Sequence, residues 1–130
     1  MQAVFLLVLA LVTDLSAIQE ESTVRLVTIG RKSGAPRPVT IWFVADGGKV
    51  YVQAGKDGST DWFKNLEKTP AVTLEFADRR LQGKASVVTE PAEAARIVDR
   101  FRKKYWLARL AWWVGSGIGA GRPVRIEILE

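Results

Sequence analysis

The sequence predicts a mainly β domain with two flanking helices, in which six mostly antiparallel strands curl into a small barrel. Three observations point there. Short segments of alternating or β-branched residues recur between turns bearing glycine, proline and aspartate. Only two stretches outside the termini carry helical spacing, and each opens on a cap-type residue or a proline. A chain of 130 residues is the usual size of one domain and too short for two comfortable cores. Residues 1–130 are therefore read as a single domain, with an apolar N-terminal segment over 1–22, a central region over 24–90 and a closing region over 91–130.

Met1 to Ala17 reads MQAVFLLVLALVTDLSA. Its apolar run, Ala3 to Val12, is too short to span a bilayer. It also lacks the positive n-region of a signal peptide, and Leu15 fits poorly at position minus three of a cut after Ala17. A packed helix or strand is the leading expectation, ahead of a peripheral membrane contact and a cleaved signal. The expected location is cytoplasmic.

Val24 to Ile29, VRLVTI, is a strand by its β-branched content and ends at Gly30. The loop GRKSGAP leads to a second strand, Arg37 to Ala45. Asp46 to Gly48, DGG, is a hairpin turn, because glycine tolerates the positive φ that tight hairpins demand. Lys49 to Gly55 is the third strand, and the three are expected to form a meander. Thr60 to Lys68, TDWFKNLEK, is a short helix with a capping threonine, an acidic first turn and lysines near its end, stopped by Pro70. Ala71 to Ala77 alternates as a strand, and RLQGKASVVT, to Thr89, is its hairpin partner. The second helix opens at Glu90 and Pro91 and runs to Trp106, with Ala94, Ile97, Val98, Phe101 and Tyr105 as its buried stripe. RPVRIEILE closes the chain as the sixth strand, placing Val124, Ile126 and Ile128 on one face. Closure into a barrel would leave no exposed edge.

Composition excludes more than it selects. There is no cysteine and no histidine, so thiolate nucleophiles, disulfides, the usual general base and the commonest metal ligand are all missing. Serine triads, zinc hydrolysis and papain-like chemistry fall away, and no metal site is expected. An enzyme built from this chain would leave the difficult chemistry to a bound cofactor. The net charge of +5 favours anionic partners without choosing among them.

The stretch TIGRKSGAPRPVTIWFV, residues 28–44, sets cations among glycines and prolines and then turns apolar. Arg31, Lys32 and Arg37 flank one loop, and Lys56 ends the next strand along, so the four can converge. Gly30 and Gly34 let backbone N–H groups approach a ligand, and Ser33 adds a hydroxyl, which suits phosphate. A solvated turn whose charges keep it soluble has the same composition. Val39, Ile41 and Phe43 alternate with Thr40 and Trp42, so one strand face enters the core and the other can carry a planar ligand. Ala54 and Gly55 are small enough for a flat ring to lie against backbone, and Trp62 can wall such a site or simply pack in the core.

These residues carry a family resemblance. LVTIGRKSGAPRPVTIWFVADGGKVYVQAGKDGSTDWFKNLEKTPAVTLEF resembles the deazaflavin (F420)-dependent nitroreductase and quinone reductase family, over roughly residues 24–90. There, too, a TGRKSG-like segment precedes R-x-x-P-L-type strand residues, and a hairpin and K-G-G-like loop lead into a W-x-x-N-L helix. The resemblance implies a split β-barrel, FMN-binding-like, of the pyridoxamine-phosphate-oxidase group, with coenzyme F420 as hydride carrier. It implies that Arg31, Lys32, Ser33, Gly34 and Arg37 cradle the cofactor phosphate and acidic tail. Pro38, Val39, Thr40 and Ile41 would line the deazaflavin with Ala54, Gly55 and Lys56, whose backbone N–H groups are placed to stabilise charge. Trp62 and Asn65 would order the pocket wall. No side chain is implied as catalytic, since the cofactor carries the hydride.

The implied function is an F420H2-dependent oxidoreductase acting on a hydrophobic acceptor such as a quinone or nitroaromatic. The alternatives are a split barrel holding FMN, FAD or haem, and a protein that binds F420 or another hydrophobic anion without turnover. A homodimer is implied by the family and would bury Trp112 and Trp113. The basic and aromatic segment RIVDRFRKKYWLARLAWW suits a peripheral membrane contact, a solvated helix face or a dimer wall. No helix-turn-helix, RRM aromatic pair or zinc module points to nucleic acid.

Overall fold

The computed structural model describes residue 18 and residues 21–55, 60–106 and 122–129. Among them, seven strands and two helices follow one another as β1 (Val24–Ile29), β2 (Pro36–Ile41), β3 (Val44–Asp46), β4 (Lys49–Ala54), α1 (Asp61–Lys68), β5 (Ala71–Glu75), β6 (Arg80–Val87), α2 (Pro91–Lys104) and β7 (Arg122–Leu129). The strands form one curled antiparallel sheet, a half-barrel, in the order β2-β1-β5-β6-β7-β4-β3.

Two sequence expectations are corrected here. The strand expected over Arg37 to Ala45 is two strands, β2 and β3, and the expected meander does not form. β2 pairs with β1 at one edge of the sheet, whereas β3 and β4 pair at the other. The cause lies at Trp42 and Phe43. Phe43 is fully buried, so its backbone must be satisfied locally, and side chains at the end of α2 do this in place of a neighbouring strand. The Tyr105 hydroxyl accepts a bond from Phe43 N at 3.0 Å, and Lys104 Nζ donates to Phe43 O at 3.0 Å. The same hydroxyl lies 2.8 Å from the carbonyl oxygens of Ser22 and Phe43, to one of which it donates. Trp42 stacks on the Tyr105 ring, with centroids 4.4 Å apart and planes 5° from parallel.

The half-barrel is also not closed. β2 and β3 are edge strands, and among the described residues no ladder joins them. Pro36 and Pro38 remove donors from β2, and β3 has only three residues, both of which discourage edge-to-edge pairing. The DGG turn forms as expected: Asp46 faces Lys49 in register, with Gly47 and Gly48 both at positive φ.

Strand alternation sorts the core into two layers. Val24, Leu26, Val50, Val52, Ala54, Leu74, Val124 and Ile126 fill the main core together with Phe63 and Leu66 of α1, and Ile128 packs against it. Tyr51 and Val44 join Ile97, Phe101 and Tyr105 of α2 in the second layer, with Ala94 packed alongside. The helix stripe expected from the sequence meets the sheet through Ala94, Ile97, Phe101 and Tyr105, whereas Val98 is only half-buried and joins neither layer. Ile18 is fully buried in the main core. The expectations for residues 1–17, Lys56, Trp112 and Trp113 lie outside the described residues. No helix among the described residues is long and apolar enough to cross a membrane.

A polar network sits beneath α2. Tyr51 Oη donates to Glu93 Oε2 at 2.7 Å, and Arg125 Nη1 reaches both oxygens of the same carboxylate at 2.6 and 2.8 Å. Burial and the bond to Glu93 push the Tyr51 hydroxyl up to about 12. The Tyr51 bond and the Arg125 guanidinium hold Glu93 below the usual carboxylate range.

Candidate functional site

The loop between β1 and β2 is a tight reversal. Gly30 N donates to Ala35 O and Gly34 N to Gly30 O, each at 2.8 Å, with Gly34 at φ 72°. The Ser33 hydroxyl accepts from Ala35 N at 3.2 Å and from Arg37 Nη2 at 3.1 Å. A Cβ at Gly30 would come within 2.7 Å of Ser33 Oγ and 3.3 Å of the Ala35 carbonyl oxygen, so a side chain there would displace the Ser33 hydroxyl. The turn thus presents Lys32 and Ser33 beside Arg37 at the start of β2.

Helix α1 packs against β1 and turns its first face toward this loop. Thr60 occupies the N-cap position, but the expected threonine cap does not form: its hydroxyl makes no capping bond, and its carbonyl accepts the ordinary first helical bond from Lys64 N at 3.2 Å. Asn65 is the hub. Its Oδ1 accepts from Arg31 N at 3.1 Å and Arg31 Nη1 at 3.0 Å, while its Nδ2 donates to Thr28 Oγ1 at 3.2 Å. Both Asn65 and Thr28 are buried, so the bond between them is sheltered from water, while the two bonds to Arg31 are partly so. Arg31 Nη2 also pairs with Asp61 Oδ1 at 3.2 Å, and Asp61 is largely exposed.

Between loop and helix opens a cleft of about 460 Å³, lined by the cations of the loop, Pro38 and Val39 of β2, and Asp61, Trp62 and Asn65 of α1. Of the residues singled out in the sequence, the fold brings Arg31, Lys32, Ser33, Arg37, Pro38, Val39, Trp62 and Asn65 together here. Gly34 shapes the turn without lining the cleft. Thr40 lines a separate groove with Arg25 and Glu75, and Ile41 packs against the core. Ala54 does not reach the cleft: its side chain is fully buried, and β4 pairs with β7 rather than with β2. Gly55 is exposed at the end of β4 and also stays out of the lining. The expected adjacency of Ala54 and Gly55 to β2 rested on the meander and fails with it.

Sequence reasoning passed over Asp61, which reads as an ordinary acidic residue in a first helical turn yet lines the cleft beside Arg31. It also missed the Tyr51, Glu93 and Arg125 network, whose members lie on β4, α2 and β7 and share no local pattern.

The cleft combines charge with apolar surface. Lys32 and Arg37 have no carboxylate partner among the described residues, and they stand beside Pro38, Val39 and the partly buried ring of Trp62. Such a site suits an anionic group joined to a flat apolar body. The sequence model of the family described as pyridoxamine 5'-phosphate oxidase matches residues 15–125. The chain belongs to the pyridoxamine 5'-phosphate oxidase family. Solved structures share its split-barrel fold. One, an F420-H2 dependent reductase, is 23% identical with a TM-score of 0.62, the match covering 84% of this chain and 95% of that one. A pyridoxamine 5'-phosphate oxidase-like protein from Listeria innocua is 15% identical with a TM-score of 0.71, covering 93% and 94%. A haem storage protein from Vibrio cholerae is 18% identical with a TM-score of 0.65, covering 92% and 88%. One fold thus recurs in proteins named for different ligands, and the ligand must be argued from the cleft itself.

Proposed function

We propose that this chain is an F420H2-dependent oxidoreductase that passes a hydride from the reduced deazaflavin to a hydrophobic acceptor such as a quinone or nitroaromatic. The observation that carries the reading is the mixed lining of the cleft, in which Lys32 and Arg37 stand with Pro38, Val39 and Trp62. F420 combines the same two characters, a phosphodiester and glutamate tail joined to a flat ring. The ordered resemblance from TIGRKSG to the W-x-x-N helix, and a fold neighbour that is an F420-H2 dependent reductase, support this cofactor over others.

When bound, reduced F420 supplies the hydride, which suits a chain without histidine or cysteine. The protein's part is binding and orientation. The Arg31 to Arg37 loop would hold the phosphate and tail, Pro38 and Val39 would seat the ring, and Trp62 would keep water from it. A homodimer belongs to the same proposal, with Trp112 and Trp113 as the side chains it would cover.

The second reading is a split barrel holding FMN, FAD or haem. A haem-storage neighbour favours it, but a chain without histidine lacks the commonest haem ligand, so FMN is its stronger form. The deciding experiment titrates the purified protein with F420, FMN and haem, then follows oxidation of F420H2 with a panel of quinones and nitroaromatics. Selective F420 binding with acceptor-dependent oxidation is the expected result. Absence of F420 binding would refute the proposal, and F420 binding without turnover would make the chain a carrier.

A further inference from the structure

We propose that the end of α2, through Arg102, Lys103 and the exposed ring of Trp106, seats this domain on the surface of an anionic lipid bilayer. The inference stands apart from the reading of the cleft and is tested without F420. It starts from one large apolar side chain that the fold turns toward water.

Trp106 is 53% exposed, and among the described residues only Leu129 is another large apolar side chain so far into solvent. The residue before it is firmly held. Tyr105 is buried, its ring stacks on Trp42, and its hydroxyl meets the backbone of Ser22 and Phe43, so the chain leaves α2 from a fixed root. Ile97, Phe101 and Tyr105 point into the second core layer, which turns Asp99, Arg102, Lys103 and Trp106 outward on the opposite side of the helix. These four line a shallow groove of about 460 Å³.

The charge around the ring is positive. Residues 99–106, DRFRKKYW, carry four cations against one carboxylate. Lys103 reaches Asp99 at 3.0 Å, but both groups are largely exposed, and such a pair yields readily to other anions. Arg102 has no ion pair or hydrogen bond among the described residues. Cations in a last turn complement the helix dipole, which accounts for the charge but not for an indole set among it. An indole flanked by arginine and lysine matches the headgroup region of a bilayer, where the ring lies at the boundary with the acyl chains and the cations meet lipid phosphates. A second copy meeting this patch about a two-fold axis would bring the same cations against it, whereas anionic headgroups offer the opposite sign. The other end of the exposed stripe, Ala92 and Ala95 with Glu90 before them, presents neither a cation nor a large ring, so the contact is made by the last two turns alone. It is a peripheral contact, because no helix among the described residues is long and apolar enough to cross a membrane. The sequence beyond Trp106, LARLAWWV, adds an arginine and two more tryptophans of the same character.

The test floats the full chain with vesicles of phosphatidylcholine, with and without phosphatidylglycerol, at several salt concentrations. The wild type should bind the phosphatidylglycerol vesicles, bind pure phosphatidylcholine far less, and lose binding as salt rises. An Arg102→Gln, Lys103→Gln double variant should bind about twentyfold more weakly, since each cation near an anionic surface counts for about fivefold. Trp106→Ser should cut binding severalfold at every salt concentration, because the contribution of the ring is not screened. Unfolding midpoints should match that of the wild type in both variants, as the altered side chains are exposed. Failure of the wild type to bind phosphatidylglycerol vesicles, equal binding to the two vesicle types, or wild-type binding by both variants would overturn the proposal. So would a Trp106→Ser protein whose mass in sedimentation halves while its vesicle binding is unchanged, because the patch would then be an interface between two copies.

Discussion

The two ends of the molecule treat charge in opposite ways. Under α2, polar groups are spent on one another: Glu93 takes Tyr51 and Arg125, and Asp46 takes Arg96 and Arg100. At the β1–β2 loop, Arg31 is spent on α1, but Lys32 and Arg37 have no carboxylate partner among the described residues. Paired groups hold a fold together. Cations without a carboxylate partner in a cleft are available to a ligand, so on the proposed reading the contrast divides structural residues from candidate binding ones.

Four changes would break or sharpen this contrast. The largest concerns alkaline pH, because the chain has only two tyrosines and both serve the α2 end. Burial, with the Glu93 bond in the case of Tyr51, pushes both hydroxyls from 10.0 up to about 12. Their folded pKa values lie above the unfolded ones, so this stabilisation is fully present below pH 10 and is lost as pH rises toward 12. The loss reaches on the order of 5 kcal/mol for the pair. Tyrosinate absorbance should therefore stay low at pH 10 and rise together with unfolding; independent ionisation near pH 10 would show that neither hydroxyl is sheltered.

Glu93→Ala comes next. It strands Arg125 and the Tyr51 hydroxyl, and urea denaturation should show a loss of about 3 kcal/mol. Asn65→Ala uncouples β1, loop and α1, leaving Thr28 and two Arg31 donors without their partner, for a loss of about 2 kcal/mol by the same measurement. Lys32→Gln has the smallest effect on stability, within about 0.5 kcal/mol, because that ammonium makes no hydrogen bond or ion pair among the described residues. The comparison would fail if Lys32→Gln destabilised the fold as Asn65→Ala does.

Local features of the fold were legible in the sequence, and long-range ones were not. β1, the DGG hairpin and the α2 stripe announce themselves through neighbouring residues. The break between β2 and β3 does not, because Tyr105 and Lys104, some sixty residues later, supply the bonds that Phe43 would otherwise seek from a strand. The loss of the meander follows from that break, and it removes Ala54 and Gly55 from the cleft. The site shows the same limit. The basic glycine loop and the W-x-x-N helix are visible as motifs, but Arg31 differs from Lys32 only through Asp61 and Asn65, thirty or more residues away.

One measurement bears most directly on the central claim: equilibrium titration of F420 into the wild type and into a Lys32→Gln, Arg37→Gln double variant at matched ionic strength. The wild type should bind F420 in preference to FMN, and the double variant should bind it about a hundredfold more weakly while keeping its unfolding midpoint. Equal affinity in the two proteins, or no F420 binding by the wild type, would contradict the account.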